Sequence, residues 1–190
     1  MNLPNKLTVI RILMIPIFVA FYFFSAIPCN FFISAGIFAL AAITDFLDGY
    51  IARKYNLVTD LGKFLDPIAD KILVSTALII MLVPVDKVSI MPWYASVCVA
   101  IILARELLIS GFRLIAAGKG IVIAADKSGK IKTFLTDVAI LILLVSANLT
   151  GTAFTVVNTI GLVAFYLSTV LTIYSGIECL VKNKNVISTK

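Results

Sequence analysis

Apolar stretches close to twenty residues long, separated by short polar turns, run the length of the chain. A helix needs about 20 residues to cross a ~30 Å hydrocarbon core. Six stretches approach that length, approximately Leu7 to Ile27, Phe31 to Arg53, Asp66 to Val85, Met91 to Arg113, Ile131 to Ala147 and Ala153 to Leu180. Alternation of period two is absent, so the pattern predicts an all-α bundle of six transmembrane helices rather than a β-barrel. Pro4 and Asn5 break the helix ahead of the first span and leave a short lead-in at the interface. The turns fall at Pro28-Cys29-Asn30, at Lys54 to Thr59, at Pro84 to Lys87 with Pro92-Trp93-Tyr94, at Gly118 to Gly129 and at Asn148 to Thr152. Thr59 or Asp60 suits the cap of the third helix. With no internal repeat, low-complexity segment or soluble appendage, residues 1–190 read as one domain.

Composition agrees: 61% of the 190 residues are hydrophobic and 14% charged, with mean hydropathy +1.09. That excludes an ordinary soluble domain. Lys6 and Arg11 before an apolar run suggest a cleaved signal peptide, but the small-residue cleavage site is poor. Six spans put both termini on one side. Every lysine and arginine except Lys87 then falls at that face, so the positive-inside rule places the termini and an aspartate-rich turn in the cytoplasm of a multi-pass cell-membrane protein. The net charge of +6 is thus a topology signal that also suits anionic head groups or substrates, not nucleic acid. Cys29, Cys98 and Cys179 are too scattered for a disulfide framework or a zinc site. Histidine is absent, which removes Ser-His-Asp and Cys-His catalysis and leaves carboxylates as general bases.

Against this apolar background stand Asp45, Asp48, Asp66 and Asp70. A carboxylate at bilayer depth costs about 2.5–3.5 kcal/mol, so four together cost on the order of 10 kcal/mol unless compensated. Residues three or four apart share a helix face, so Asp45 with Asp48, and Asp66 with Asp70, each present paired carboxylates that one turn can bring face to face. An all-oxygen donor set suits hard cations such as Mg²⁺, Mn²⁺ or Ca²⁺. Two such ions about 4 Å apart serve in-line phosphoryl displacement. Gly49, Ala52 and Gly62 lack bulk beside the carboxylates and permit close ligand approach, and Arg53 can grip a phosphate with two bonds. These features together fit a diphosphate.

The whole pattern, D-x-x-D-G-x-x-A-R, eight residues, then G-x-x-x-D-x-x-x-D, resembles the signature of the CDP-alcohol phosphotransferase family. Its eight fixed identities over 26 residues, Asp45 to Asp70, are all present. The resemblance implies two divalent cations, Mg²⁺ or Mn²⁺, on Asp45, Asp48, Asp66 and Asp70, with Asp70 also the base for the acceptor hydroxyl. It implies a CDP site formed by Asp48, Gly49, Ala52, Arg53 and Gly62, together with Asn5 and Thr8 of the lead, and a homodimer. Within the family, Asn2-Leu-Pro-Asn5-Lys-Leu-Thr8-Val-Ile-Arg11, the pair Arg105-Glu106 with Arg113, and Gly129-Lys130-Ile-Lys132-Thr133 are similar to the phosphatidylglycerophosphate synthase branch. Thr136 stands where that branch leads one to expect glutamine. The implied reaction moves the phosphatidyl group of CDP-diacylglycerol to glycerol 3-phosphate. Arg105, Arg113, Lys130, Lys132 and Thr133 would bind the acceptor's phosphate.

Plainer roles compete for the same residues. The four aspartates can pair with Lys63, Lys71 and Arg53 in a structural network, and Asp66 can cap a helix ahead of Pro67. Gly49 and Gly62 can serve helix packing. Arg105 with Glu106 can be a structural pair, while Arg113, Lys130 and Lys132, like Asn5, Thr8 and Arg11, can be topology signals alone. Trp93 and Tyr94 suit interface anchors, and Asp137, inside the fifth span, suits pairing with a base of the fourth. Two other functions fit parts of the pattern: the same donor with inositol phosphate, serine or phosphatidylglycerol as acceptor, and a divalent-cation transport path. Transport asks for acids spread through the bilayer, whereas these cluster near one face.

Overall fold

A computed structural model describes residues 3–54, 60–86, 88–121, 123 and 127–184, with side chains described throughout except at 3–5, 46, 48–53, 60–61, 63–64 and 127. Among these residues the chain forms six helices: α1 (Leu3–Phe23), α2 (Asn30–Lys54), α3 (Asp60–Ile80), α4 (Ala95–Gly118), α5 (Lys127–Ser146) and α6 (Gly151–Lys182). Each predicted apolar stretch lies within or across one of them. The ends differ, because hydropathy stops at the first polar residues while backbone hydrogen bonding does not. α1 starts at Leu3, so Pro4 and Asn5 lie in its first turn, where proline is tolerated, instead of breaking it. α3 starts at Asp60, which puts Pro67 about two turns inside it, so Asp66 is no first-turn cap. Thr59 and Lys87 lie outside the described residues. Between α3 and α4 the chain turns through an isolated bridge pairing Val85 with Val88.

Side-chain bonds between helices fix which ends meet. At one end, Tyr22 near the close of α1 donates to the Val83 carbonyl beyond α3 at 3.4 Å, and Asn30 at the start of α2 donates to the Tyr22 carbonyl at 3.0 Å. At that end too, Asn158 of α6 donates to the Ile90 carbonyl at 2.9 Å and to Ser146 Oγ of α5 at 3.2 Å. At the other end the start of α1 meets the close of α2 and the start of α3, and the start of α5 meets the close of α6, while the middle of α4 bonds to Lys132 of α5 and Ser175 of α6. The helices therefore alternate in direction. The core between them is apolar, with Phe18, Phe38, Leu78, Met81, Ile140 and Phe165 almost fully buried. Gly161 of α6 packs directly on α5: a Cβ there would lie 2.7 Å from Leu143 Cγ.

Outward faces are apolar as well. Leu107, Leu114 and Phe134 are 70% exposed or more, and large apolar residues point outward from all six helices, a surface that soluble monomers do not carry. Three segments, Lys6–Phe23, Ala95–Gly118 and Gly151–Lys182, are long and apolar enough to cross a membrane. This is a helical membrane protein. Among the described residues, Asn30–Asp45 of α2 is a shorter apolar stretch, and α5 carries Lys130, Lys132 and Asp137 within its length.

Candidate active site

α1 lies against both helices of the aspartate motif. Thr8 and Arg11, three residues apart and hence on one face, are both fully buried and reach different partners. Thr8 Oγ1 donates to Asp66 Oδ1 of α3 at 2.5 Å, and Arg11 Nη1 meets Asp45 Oδ1 of α2 at 2.5 Å. One turn of α1 therefore holds one carboxylate from each half of the motif. The Asp45 carboxylate lies within electrostatic reach of both Asp66 and Asp70. Gly62 is buried. Asn5, Asp48, Gly49, Ala52 and Arg53 lie outside the described side chains. Among the described residues no three potential ligands converge on one point; the donors that are described, Asp45, Asp66 and Asp70, are all carboxylate oxygens on neighbouring helices. That chemistry fits a hard divalent cation and offers nothing to a thiophilic one.

Asp45 and Asp70 open onto a cavity of about 910 Å³ between α2, α3, α4 and α5, which Arg105 and Arg113 of α4 and Lys130 and Thr133 of α5 also line. Its lining mixes the carboxylates of Asp45, Asp70, Glu106 and Asp137 with the bases of Lys71, Arg105, Arg113 and Lys130, and the bases make it suited to a molecule that carries phosphate. The basic residues are not alike. Arg113 and Lys130 line the cavity, and Lys130 is exposed. Lys132 is 5% exposed and turned inward, its Nζ 2.5 Å from Glu106 Oε1. Arg105 Nη1 shares that same oxygen at 2.9 Å, and its Nη2 donates to Ser175 Oγ of α6 at 2.8 Å. Glu106 thus gathers two bases from two helices, and Thr133 Oγ1 bonds back to the Gly129 carbonyl at 3.1 Å. Lys71 reaches across to Ser110 of α4.

Sequence reading left Arg11 as part of the family-like lead or a topology charge and gave it no role at the site, yet its spacing from Thr8 was the available signal that both act on one face. Ser175 and Gly176 had no signal, because their work is to let the Arg105 stem lie against α6: a Cβ on Gly176 would sit 3.0 Å from Arg105 Cγ. The start of α5, which carries Lys130, is tied to the close of α6 by Ser128 Oγ donating to Glu178 Oε2 at 2.6 Å. Asp137 also lines the cavity rather than pairing with a base of α4.

Residues 1–174 match the model of the family described as CDP-alcohol phosphatidyltransferase. The chain is 42% identical over 176 residues to a Rickettsia felis protein named CDP-diacylglycerol--glycerol-3-phosphate 3-phosphatidyltransferase, covering 92% of this chain and 91% of that one. A Bacillus subtilis protein of the same name is 39% identical over 200 residues, with 99% and 98% covered. One from Shigella flexneri is 35% identical over 181 residues, with 94% and 93% covered. With the signature intact and the match running through five helices and most of the sixth, the chain belongs to the CDP-alcohol phosphatidyltransferase family.

Proposed function

We propose that this membrane enzyme transfers the phosphatidyl group of CDP-diacylglycerol to glycerol 3-phosphate, giving phosphatidylglycerophosphate and CMP. The observation that carries the reading is near full-length similarity to relatives that bear that name. A cavity lined by carboxylates of the aspartate motif and by several bases supports it. Asp45, Asp48, Asp66 and Asp70 hold two divalent cations, Mg²⁺ or Mn²⁺, which when bound supply positive charge to the diphosphate and to the departing CMP oxygen. Thr8 and Arg11 orient Asp66 and Asp45 for that task. Asn5, Thr8, Gly49, Ala52, Arg53 and Gly62 line the CDP side. Arg113 and Lys130, with Thr133, receive the acceptor's phosphate, while Arg105 and Lys132 reach it through the field they share with Glu106. Asp70 takes the proton from the acceptor's primary hydroxyl as that oxygen attacks the phosphorus bearing diacylglycerol; the bond from that phosphorus to the CMP oxygen breaks in line.

The chain acts as one domain over residues 1–190, crosses the cell membrane six times with termini and cavity on the cytoplasmic side, and works as a homodimer. The lipid tails stay in the bilayer while the soluble acceptor enters from water. Release of CMP from CDP-diacylglycerol by the purified chain, with Mg²⁺ or Mn²⁺ present, tests the reaction. Turnover should require glycerol 3-phosphate, stop on chelation, and vanish in Asp48→Asn and Asp66→Asn while the thermal midpoint stays. Dependence on inositol phosphate, serine or phosphatidylglycerol instead would replace the acceptor, and metal flux into liposomes without nucleotide would replace the enzyme.

A further inference from the structure

Asp137 is an acid of the cavity to which the reaction just described gives no task. It sits on α5 one turn beyond Thr133 and two beyond Lys130, on the same face, and all three line the cavity. Its Oδ1 is buried and has no hydrogen-bond partner among the described residues. The charges that act on it are Asp70, Lys132 and Asp45, and the Lys132 ammonium is bonded to Glu106. A buried carboxylate oxygen without a donor is costly, and such groups in folded proteins are nearly always bonded to something. The missing donor therefore belongs to what fills the cavity.

Charge decides which part of the occupant that is. A carboxylate repels a phosphate, so the acceptor's anionic end lies toward Arg113 and Lys130, and the group facing Asp137 is a neutral donor. The rise from Lys130 to Asp137 is roughly 10 Å along the helix, a span that a lysine stem and a three-carbon phosphate ester fill together. Asp70, across the cavity on α3, is left for the reacting hydroxyl.

We propose that Asp137 accepts a hydrogen bond from the acceptor's second, non-reacting hydroxyl and so selects a phosphorylated diol over a phosphorylated mono-alcohol. No bond is made or broken at Asp137; it is a specificity and positioning residue. The proposal rests on glycerol 3-phosphate being the acceptor.

The test compares two acceptors in the CMP-release assay on the full chain: glycerol 3-phosphate, and 3-hydroxypropyl phosphate, which keeps the reacting hydroxyl and the phosphate but lacks the central hydroxyl. The wild type should favour glycerol 3-phosphate by about 10- to 100-fold in kcat/KM, the worth of one hydrogen bond to a charged group. Asp137→Leu should bring that ratio close to one, leave KM for CDP-diacylglycerol in place and not lower the thermal midpoint, since no bond within the protein is lost. Where Asp137→Leu turns over too slowly to measure, Asp137→Asn is read in the same way, with a ratio at least several-fold smaller than the wild type's expected. Wild-type turnover with a ratio unchanged in both variants overturns the role of Asp137 alone and assigns its oxygen to water. Absence of any glycerol 3-phosphate-dependent CMP release by the wild type overturns the acceptor reading and this proposal with it.

Discussion

Thr8 and Arg11 show how much a single helical turn can settle at the level of residues. Arg11 is fully buried while its partner Asp45 keeps 38% of its side chain exposed, so the pair is half in solvent at the cavity edge and half in the core. Removing the arginine takes from Asp45 a charge-assisted hydrogen bond, worth about 1.5–3 kcal/mol, and takes away a cation whose charge also acts on Asp70. The effect on chemistry should be greater, because a ligand displaced by about 1 Å can cost on the order of 100-fold in rate. Arg11→Met is therefore expected to lower kcat for CMP release at least tenfold while lowering the thermal midpoint by only a few degrees. Thr8→Val, which removes one neutral donor from Asp66, should do less of both. A full kcat with a lowered midpoint in Arg11→Met would make the ion pair purely structural.

Two glycines on α6 separate packing from function at the level of elements. Gly161 faces α5, where a Cβ would lie 2.7 Å from Leu143 Cγ and 2.8 Å from Cδ2, both buried branch atoms with nowhere to go. Gly161→Ala should cost about 1–3 kcal/mol through overpacking, offset by up to about 1 kcal/mol of helix propensity, and read out as a lower thermal midpoint with kcat and KM kept. Gly176 faces α4, where a Cβ would lie 3.0 Å from Arg105 Cγ and 3.3 Å from Nε, a long side chain that can yield. Gly176→Ala should leave the midpoint near the wild-type value and raise KM for glycerol 3-phosphate several-fold, with KM for CDP-diacylglycerol unmoved. The reverse assignment of the two effects would show that Arg105 does not serve the acceptor side. Neither glycine was legible in the sequence as more than a small residue in an apolar helix, because the close approach is made by two helices whose pairing no local pattern records. The helices themselves were legible, since twenty apolar residues have few alternatives in a membrane. So was the gathering of carboxylates, since charge in that setting demands a reason, and Asp45 of α2 does lie within electrostatic reach of Asp66 and Asp70 of α3. The inward turn of Lys132 onto Glu106 and the grip of Arg11 on Asp45 were not, because positive-inside bias accounts for every base at that face without naming a partner.

Across the whole molecule the charges are sorted to one end. The starts of α1, α3 and α5 and the closes of α2, α4 and α6 carry the aspartate motif and the basic residues, and Asp86, between α3 and α4, is a charged residue described at the far end. An alternating bundle with this asymmetry has one orientation that the positive-inside rule favours, and it puts the cavity where a soluble phosphate ester can enter. Cys29 makes the orientation measurable: it is exposed, in the turn between α1 and α2 at the end opposite the cavity, whereas Cys179 is buried and Cys98 half-buried. In a chain that keeps Cys29 alone, through Cys98→Ala and Cys179→Ala, a membrane-impermeant maleimide should label intact cells. If Cys29 is also replaced by alanine and the exposed Lys184 beyond α6 is changed to cysteine, labelling should require lysis, since an even number of crossings separates Lys184 from the start of α1. Protection of Cys29 in intact cells would invert the bundle and leave the acceptor site facing away from the cytoplasm. Labelling at both positions from outside would require an odd number of crossings between Cys29 and Lys184 to be abandoned, so that one of α2 to α6 would lie along the membrane instead of through it.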